Sequence, residues 1–179
     1  MAVVVWVAEG TWRACVDAAR LHAPPDAEIV LLHVSDRDVP GAAHGAFAGL
    51  MGRRHPRGNR ADGWGSDPGS TMEELADAAG HGLLAAAAER LGRACRPVER
   101  AGRTDREVVA AAEGADLLVL ARDGDRTRLG PRSLGPATRF VVDHAPCPVL
   151  LVWPGSAPGT ATLPPEPGAK PEPGPERGA

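Results

Sequence analysis

The residues best suited to chemistry lie between Ala121 and Thr138. Arg122, Arg126, Arg128 and Arg132 crowd a glycine-bearing stretch that ends in Gly135-Pro136-Ala137-Thr138. An apolar run, Leu117 to Leu120, leads straight into it, and a short helical pattern follows. A buried strand that opens into glycines before a helix N-terminus sets bare backbone N–H groups and a positive dipole end where an anion could sit. Guanidinium forks can grip phosphate or carboxylate through paired hydrogen bonds. The chemistry on offer is therefore anion binding. Two features work against it. Pro136 suits the first position of a helix but has no N–H to give. A hydrogen bond to a charged group is worth about 1.5–3 kcal/mol, so each one lost weakens binding by roughly one to two orders of magnitude. Asp123 and Asp125 can also pair with some of the arginines and leave the rest hydrated.

Elsewhere the reactive residue types read as packing. His144 and Cys147 are three apart, but Pro146 and Pro148 flank the cysteine in what looks like a turn feeding a strand, so neither a metal site nor a thiol nucleophile is expected. His33 lies inside an apolar run and reads as a hydrogen-bonded core histidine. Gly155 to Gly159 is linker, because no strand or helix frames it. No nucleophile, base and orienting group stand at a spacing that ordinary hydrolase chemistry needs.

The elements that must position the arginine loop follow from hydropathy. Val3 to Ala8, Glu28 to Val34, Leu117 to Leu120 and Val149 to Trp153 are short continuous apolar runs, the mark of strands buried on both faces; Pro97 to Arg100 is a weaker fifth. Between them lie helical patterns. Thr11 opens one with Trp12, Val16 and Ala19 on a single face, stopped by Pro24 and Pro25. Thr71 and Glu74 have capping-box spacing before Leu75, Ala79, Leu83 or Leu84, Ala87 and Leu91, and Thr104 and Glu107 repeat it before a helix from Asp105 to Glu113. This alternation predicts an α/β fold, a single doubly wound five-stranded parallel sheet with helices on both faces.

Two stretches fall outside that pattern. Ser35 to Gly69 is too long for an ordinary connection; it holds a weak helical signal at Ala42 to Met51 and a basic group, Arg53, Arg54, Arg57 and Arg60, read as a solvated loop or a lid. Eight of the eighteen prolines lie at or beyond Pro154 with almost no aliphatic surface, which predicts a domain over 1–153 and a disordered Pro/Gly-rich tail over 154–179.

The 179 residues suffice for one domain with a real core. A net charge of −3 argues against bulk electrostatic binding of nucleic acid. No run is long enough to span a bilayer and no signal peptide is evident, so no membrane is expected and the default location is cytoplasmic. Cys15, Cys95 and Cys147 form neither a disulfide framework nor a metal-ligand set.

The ordered motifs resemble the universal stress protein family. Such domains carry a G-x-x-G pair after the fourth strand, nine residues, then Gly followed by Ser or Thr, and a last strand often preceded by H-A-P-C-P. The chain has Ala121-Arg122-Asp123-Gly124, then Gly135-Pro136-Ala137-Thr138, then His144-Ala145-Pro146-Cys147-Pro148. The likeness extends from Val3 to Trp153 through VVVWVAEGT, EIVLLHV and AGRTDREVVAAAEGADLLVL.

The resemblance implies a crevice between the first and fourth strands that holds ATP or another adenine nucleotide. On it, Glu9, beside Gly10, stands for an Asp that meets the adenosine, Val34 lines the adenine pocket, Gly124 and Gly135 are the second and third glycines, and Thr138 offers a hydroxyl one turn into the helix. Ala121 replaces the first glycine, Pro136 replaces the Ser or Thr, and ten residues rather than nine separate Gly124 from Gly135. Arg122 and Arg126 are the candidates to compensate. The resemblance also implies a homodimer paired through Val149–Trp153. Three readings stand: a non-enzymatic stress-response regulator with a degenerate nucleotide site, a true ATP or AMP binder whose arginines support the phosphates, with slow hydrolysis at most, and a protein-interaction module acting through the 35–69 loop and the tail.

Overall fold

The computed structural model describes residues 1–36 and 68–163. Five strands, β1 (Ala2–Trp6), β2 (Glu28–Ser35), β3 (Arg96–Ala101), β4 (Leu117–Ala121) and β5 (Val149–Val152), form one sheet in the order β3-β2-β1-β4-β5. Every pairing is parallel, as the continuous apolar runs require. Side chains alternate between the faces. Val3, Val5, Ile29, Leu31 and Val119 point to one side, where they pack with Trp12, Cys15, Val16 and Ala19 of α1 (Trp12–His22) and Leu84, Ala87 and Leu91 of α2 (Pro68–Leu91). Val4, Trp6, Val30, Leu32, Leu118 and Leu120 point to the other, against Val108 of α3 (Thr104–Ala111) and Val141 of α4 (Pro136–His144). Each fully buried Val or Leu contributes about 1.5–3 kcal/mol, so the sheet is fixed from both sides.

The two edges differ. β3 carries Arg96, Pro97, Glu99 and Arg100, whereas β5 is Val149, Leu150, Leu151 and Val152, all only partly buried. No helix among the described residues is long and apolar enough to cross a membrane.

Several local expectations change. α2 starts at Pro68, so Thr71 and Glu74 lie inside the helix rather than at its cap. A proline in the first turn gives up nothing, since that N–H has no helical partner. The buried face of α2 runs through Gly80, Leu84, Ala87 and Leu91, while Leu75 is 65% exposed and Ala79 is also outside. Gly80 sets that phase, because a Cβ there would collide with the Glu99 carboxylate and meet His33 Cδ2 at 2.8 Å. The second capping box does not form either. α3 begins at Thr104 itself, Asp105 Oδ1 accepts from the Arg106 amide at 2.8 Å, and Glu107 pairs with Arg100 at 3.4 Å. An ionised side chain one position on satisfies the helix end better than the Thr104 hydroxyl.

His33 is half-buried, and its Nδ1–H donates to the Val7 carbonyl at 2.9 Å, as a core histidine should. The interior of the 35–69 segment, with the 42–51 helical signal and Arg53, Arg54, Arg57 and Arg60, lies outside the described residues, as does the chain after Leu163. Residues 154–163 differ from the tail expectation. They include a short 3-10 turn, Thr160–Thr162, whose Thr162 Oγ1 accepts from the Leu129 amide at 3.1 Å.

Candidate functional site

In a doubly wound sheet the strand order reverses at one point, and ligands bind beyond the carboxyl ends of the strands there. Here that point lies between β1 and β4. The turn after β1 is short. The Ala8 carbonyl accepts from the Thr11 and Trp12 amides at 3.2 and 3.0 Å and from the Thr11 hydroxyl at 3.3 Å. Gly10 sits at φ +73°, a conformation that a side chain would strain, and Glu9 beside it is exposed.

The loop after β4 is longer and closes on itself. The Gly124 amide donates to the Ser133 carbonyl at 3.0 Å and the Asp125 amide to the Arg132 carbonyl at 2.8 Å, so the two ends of the loop run side by side. Gly124 makes this approach possible, because a Cβ there would meet the Arg132 carbonyl and stand 2.9 Å from Ser133 C. Asp125 Oδ1 accepts from the Thr127 amide and hydroxyl at 2.9 and 2.6 Å, and its Oδ2 pairs with Arg128 at 3.1 Å. Those two Thr127 bonds, the hydroxyl first, hold the Asp125 carboxyl below its usual range.

α4 then starts as the Gly135-Pro136 pair implies, with Gly135 as its cap residue and Pro136 first in the helix. Its N-terminus is already occupied by an anion. Asp123 Oδ1 accepts from the Gly135 amide at 2.7 Å. Thr138, in the first turn, is 1% exposed, and its Oγ1 has no hydrogen-bond partner.

The site residues named from the sequence therefore divide. Gly10 and Arg126 come together across the crevice: a Cβ on Gly10 would stand 4.0 Å from Arg126 Nη2. Arg126 is exposed, and no carboxylate among the described residues pairs with it. Arg122 leans the other way, toward β5. Its guanidinium lies over the Trp153 ring at 4.8 Å, and Nη1 donates to the buried Ser133 hydroxyl. Val34, next to last in β2, is 8% exposed in the α3 and α4 core, and Ala121 is buried on the opposite face. Gly124 and Gly135 are each accounted for by contacts inside the loop. Sequence reasoning missed the role of Asp123, which it treated as a partner for the arginines. The eleven residues between Asp123 and Gly135 carry no fixed geometry until the loop closes.

The remaining reactive groups stand apart from this crevice. Burial pushes the Cys15 thiol up to about 12 and raises that of Cys147, with Asp116 adding to the second effect. His144 stacks on Phe140 at 4.1 Å and donates from Nδ1 to the Phe140 carbonyl at 2.8 Å.

No curated protein matches the chain significantly. Among solved structures, a universal stress protein in complex with cAMP is 19% identical, with 87% of this chain and 98% of that chain covered and a TM-score of 0.56. A family protein from Arabidopsis thaliana with AMP bound is 17% identical over 93% of this chain and 97% of its own, with a TM-score of 0.54. UspA from Lactobacillus plantarum is 20% identical over 84% and 96%, at a TM-score of 0.50. At these identities the structures speak for the fold. The model of the universal stress protein family matches residues 3–152, and the chain belongs to that family.

Proposed function

We propose that the crevice between β1 and β4 binds an adenine nucleotide with a short phosphate group, and that the protein acts as a stress-response regulator through this binding rather than through turnover. One observation carries the reading. The Arg126 guanidinium reaches the Gly10 turn from the opposite lip, so a single exposed cation spans the mouth where a phosphate would lie. Glu9 is suited to accept ribose hydroxyls, while Gly10 keeps the turn free of a side chain. The residues fit the nucleoside end better than a polyphosphate, since Pro136 lacks an N–H and the Gly124, Asp125 and Gly135 amides donate within the loop. The AMP and cAMP complexes among the structural neighbours are consistent with this preference. We locate this action in the cytoplasm.

Isothermal titration with AMP, ADP and ATP tests it. Arg126→Ala should weaken AMP binding by about tenfold or more, the value of a charge-assisted hydrogen bond. Unchanged affinity would remove the argument. Nucleotide released on denaturing freshly purified protein would support it independently.

A second feature favours self-association. β5 is an edge strand with an apolar, partly exposed sequence, and such edges are usually covered. We propose that two copies pair along Val149–Trp153. Sedimentation velocity at micromolar concentration should give a dimer that Leu151→Lys dissociates; a monomeric native protein would end the idea.

A further inference from the structure

We propose that Asp123 determines which nucleotides the crevice accepts, its carboxylate standing on the Gly135 amide where a terminal phosphate would otherwise sit, so that a monophosphate is admitted and a triphosphate refused. The inference rests on the nucleotide reading given above and deepens it.

The contact is close and involves the whole carboxylate. Besides the 2.7 Å hydrogen bond from Gly135 N to Oδ1, both oxygens and Cγ lie 2.8–3.0 Å from the point where a Cβ on residue 135 would stand. The carboxylate therefore lies flat against the start of α4, a nine-residue helix whose dipole favours an anion there. Pro136 contributes no donor, so a second anion at this turn would have only the next amides of the helix and would lie beside the Asp123 carboxylate.

Thr138 points independently to a ligand at this turn. It is the third helical residue, its side chain is buried, and Oγ1 has no partner. Helical side chains lean toward the N-terminus, which sets this hydroxyl beneath the capped turn. A buried hydroxyl without a partner is unfavourable unless something else uses it. Arg122 Nε, in the residue before Asp123, is also buried and unpartnered.

Much of the rest of the loop is already engaged. The amides of Gly124, Asp125, Thr127, Leu129, Ser133 and Leu134 all donate inside the protein, and Arg128 is held by Asp125. Arg126, at the Gly10 turn, matches one phosphate near the ribose. A longer chain would bring its outer charges against the Asp123 carboxylate, where like charges repel.

Titration of the full-length native protein, Asp123→Ala and Asp123→Asn with AMP and with ATP tests the proposal, with circular dichroism and a cooperative melt as the fold control. The native protein should bind AMP more tightly than ATP. Asp123→Ala, which frees the Gly135 amide, should tighten ATP by about tenfold or more and leave AMP nearly unchanged. Asp123→Asn keeps an oxygen for the amide but removes the charge, so it should give a smaller ATP gain. It decides the matter if the alanine variant does not fold. AMP binding with no ATP gain in either variant overturns the assignment of Asp123 and leaves the nucleotide reading standing. Loss of AMP in a folded Asp123 variant also overturns it, since the carboxylate would then serve the loop alone. Binding of neither nucleotide to any form overturns both.

Discussion

The turn after β1 and the loop after β4 face one another across the same crevice and are built by opposite means. The first is a few residues long, depends on backbone conformation at Gly10, and leads into a helix with no acidic residue in its first turn and no side chain capping it. The second is held by side chains: Asp125 on Thr127, Asp123 on Gly135, Arg122 on Ser133. One lip thus leaves its helix end without a carboxylate, while the other supplies its own. A helix end beside a glycine turn is an anion site only where the chain leaves it open, and sequence motifs for such sites do not record that condition.

Mutations can break or sharpen this contrast. The largest effect should come from Gly124→Ala, which forces a methyl against the Arg132 and Ser133 backbone and should destabilise by about 3 kcal/mol in urea unfolding. Gly10→Ala meets no crowding and bears only the strain of its positive φ, about 1 kcal/mol. Equal losses would mean that the two lips are not held differently after all. The smallest effect is one of pH. The Thr127 bonds lower the Asp125 carboxyl in the folded protein, so its contribution is complete above the unfolded carboxyl value of about 3.9 and fades as pH falls through the lower folded value. Protection of the Thr127 amide against exchange, relative to its intrinsic rate at each pH, should fall on acidification in the native protein, and Asp125→Asn should flatten that dependence. The β1 turn should not respond.

The framework was legible because parallel strands buried on both faces leave unbroken apolar runs, and Gly135-Pro136 marks a helix start whatever surrounds it. The meeting of the two turns was legible too, given the strand order that the family likeness implied. Capping was not. Thr71 and Thr104 have the spacing of caps, yet α2 begins earlier, at Pro68, and at α3 the Asp105 carboxylate takes the Arg106 amide; these rivals lie within a few residues, and spacing alone does not rank them. The phase of α2 depends on Gly80 meeting Glu99 and His33 from two other strands. The fates of Arg122, Arg128 and Arg126 diverge for the same reason: their neighbours Trp153, Asp125 and Gly10 lie at different distances along the chain.

The unlike edges of the sheet bear on how the protein could assemble. Arg96, Pro97, Glu99 and Arg100 make β3 a poor template for any incoming strand, because charge and a missing N–H frustrate the ladder. A twin docking along β5 would bury the receptive margin of both molecules at once and turn the two resistant margins outward. Growth by that route would stop at a pair, so the hydrophobicity of β5 carries little danger of open-ended fibres.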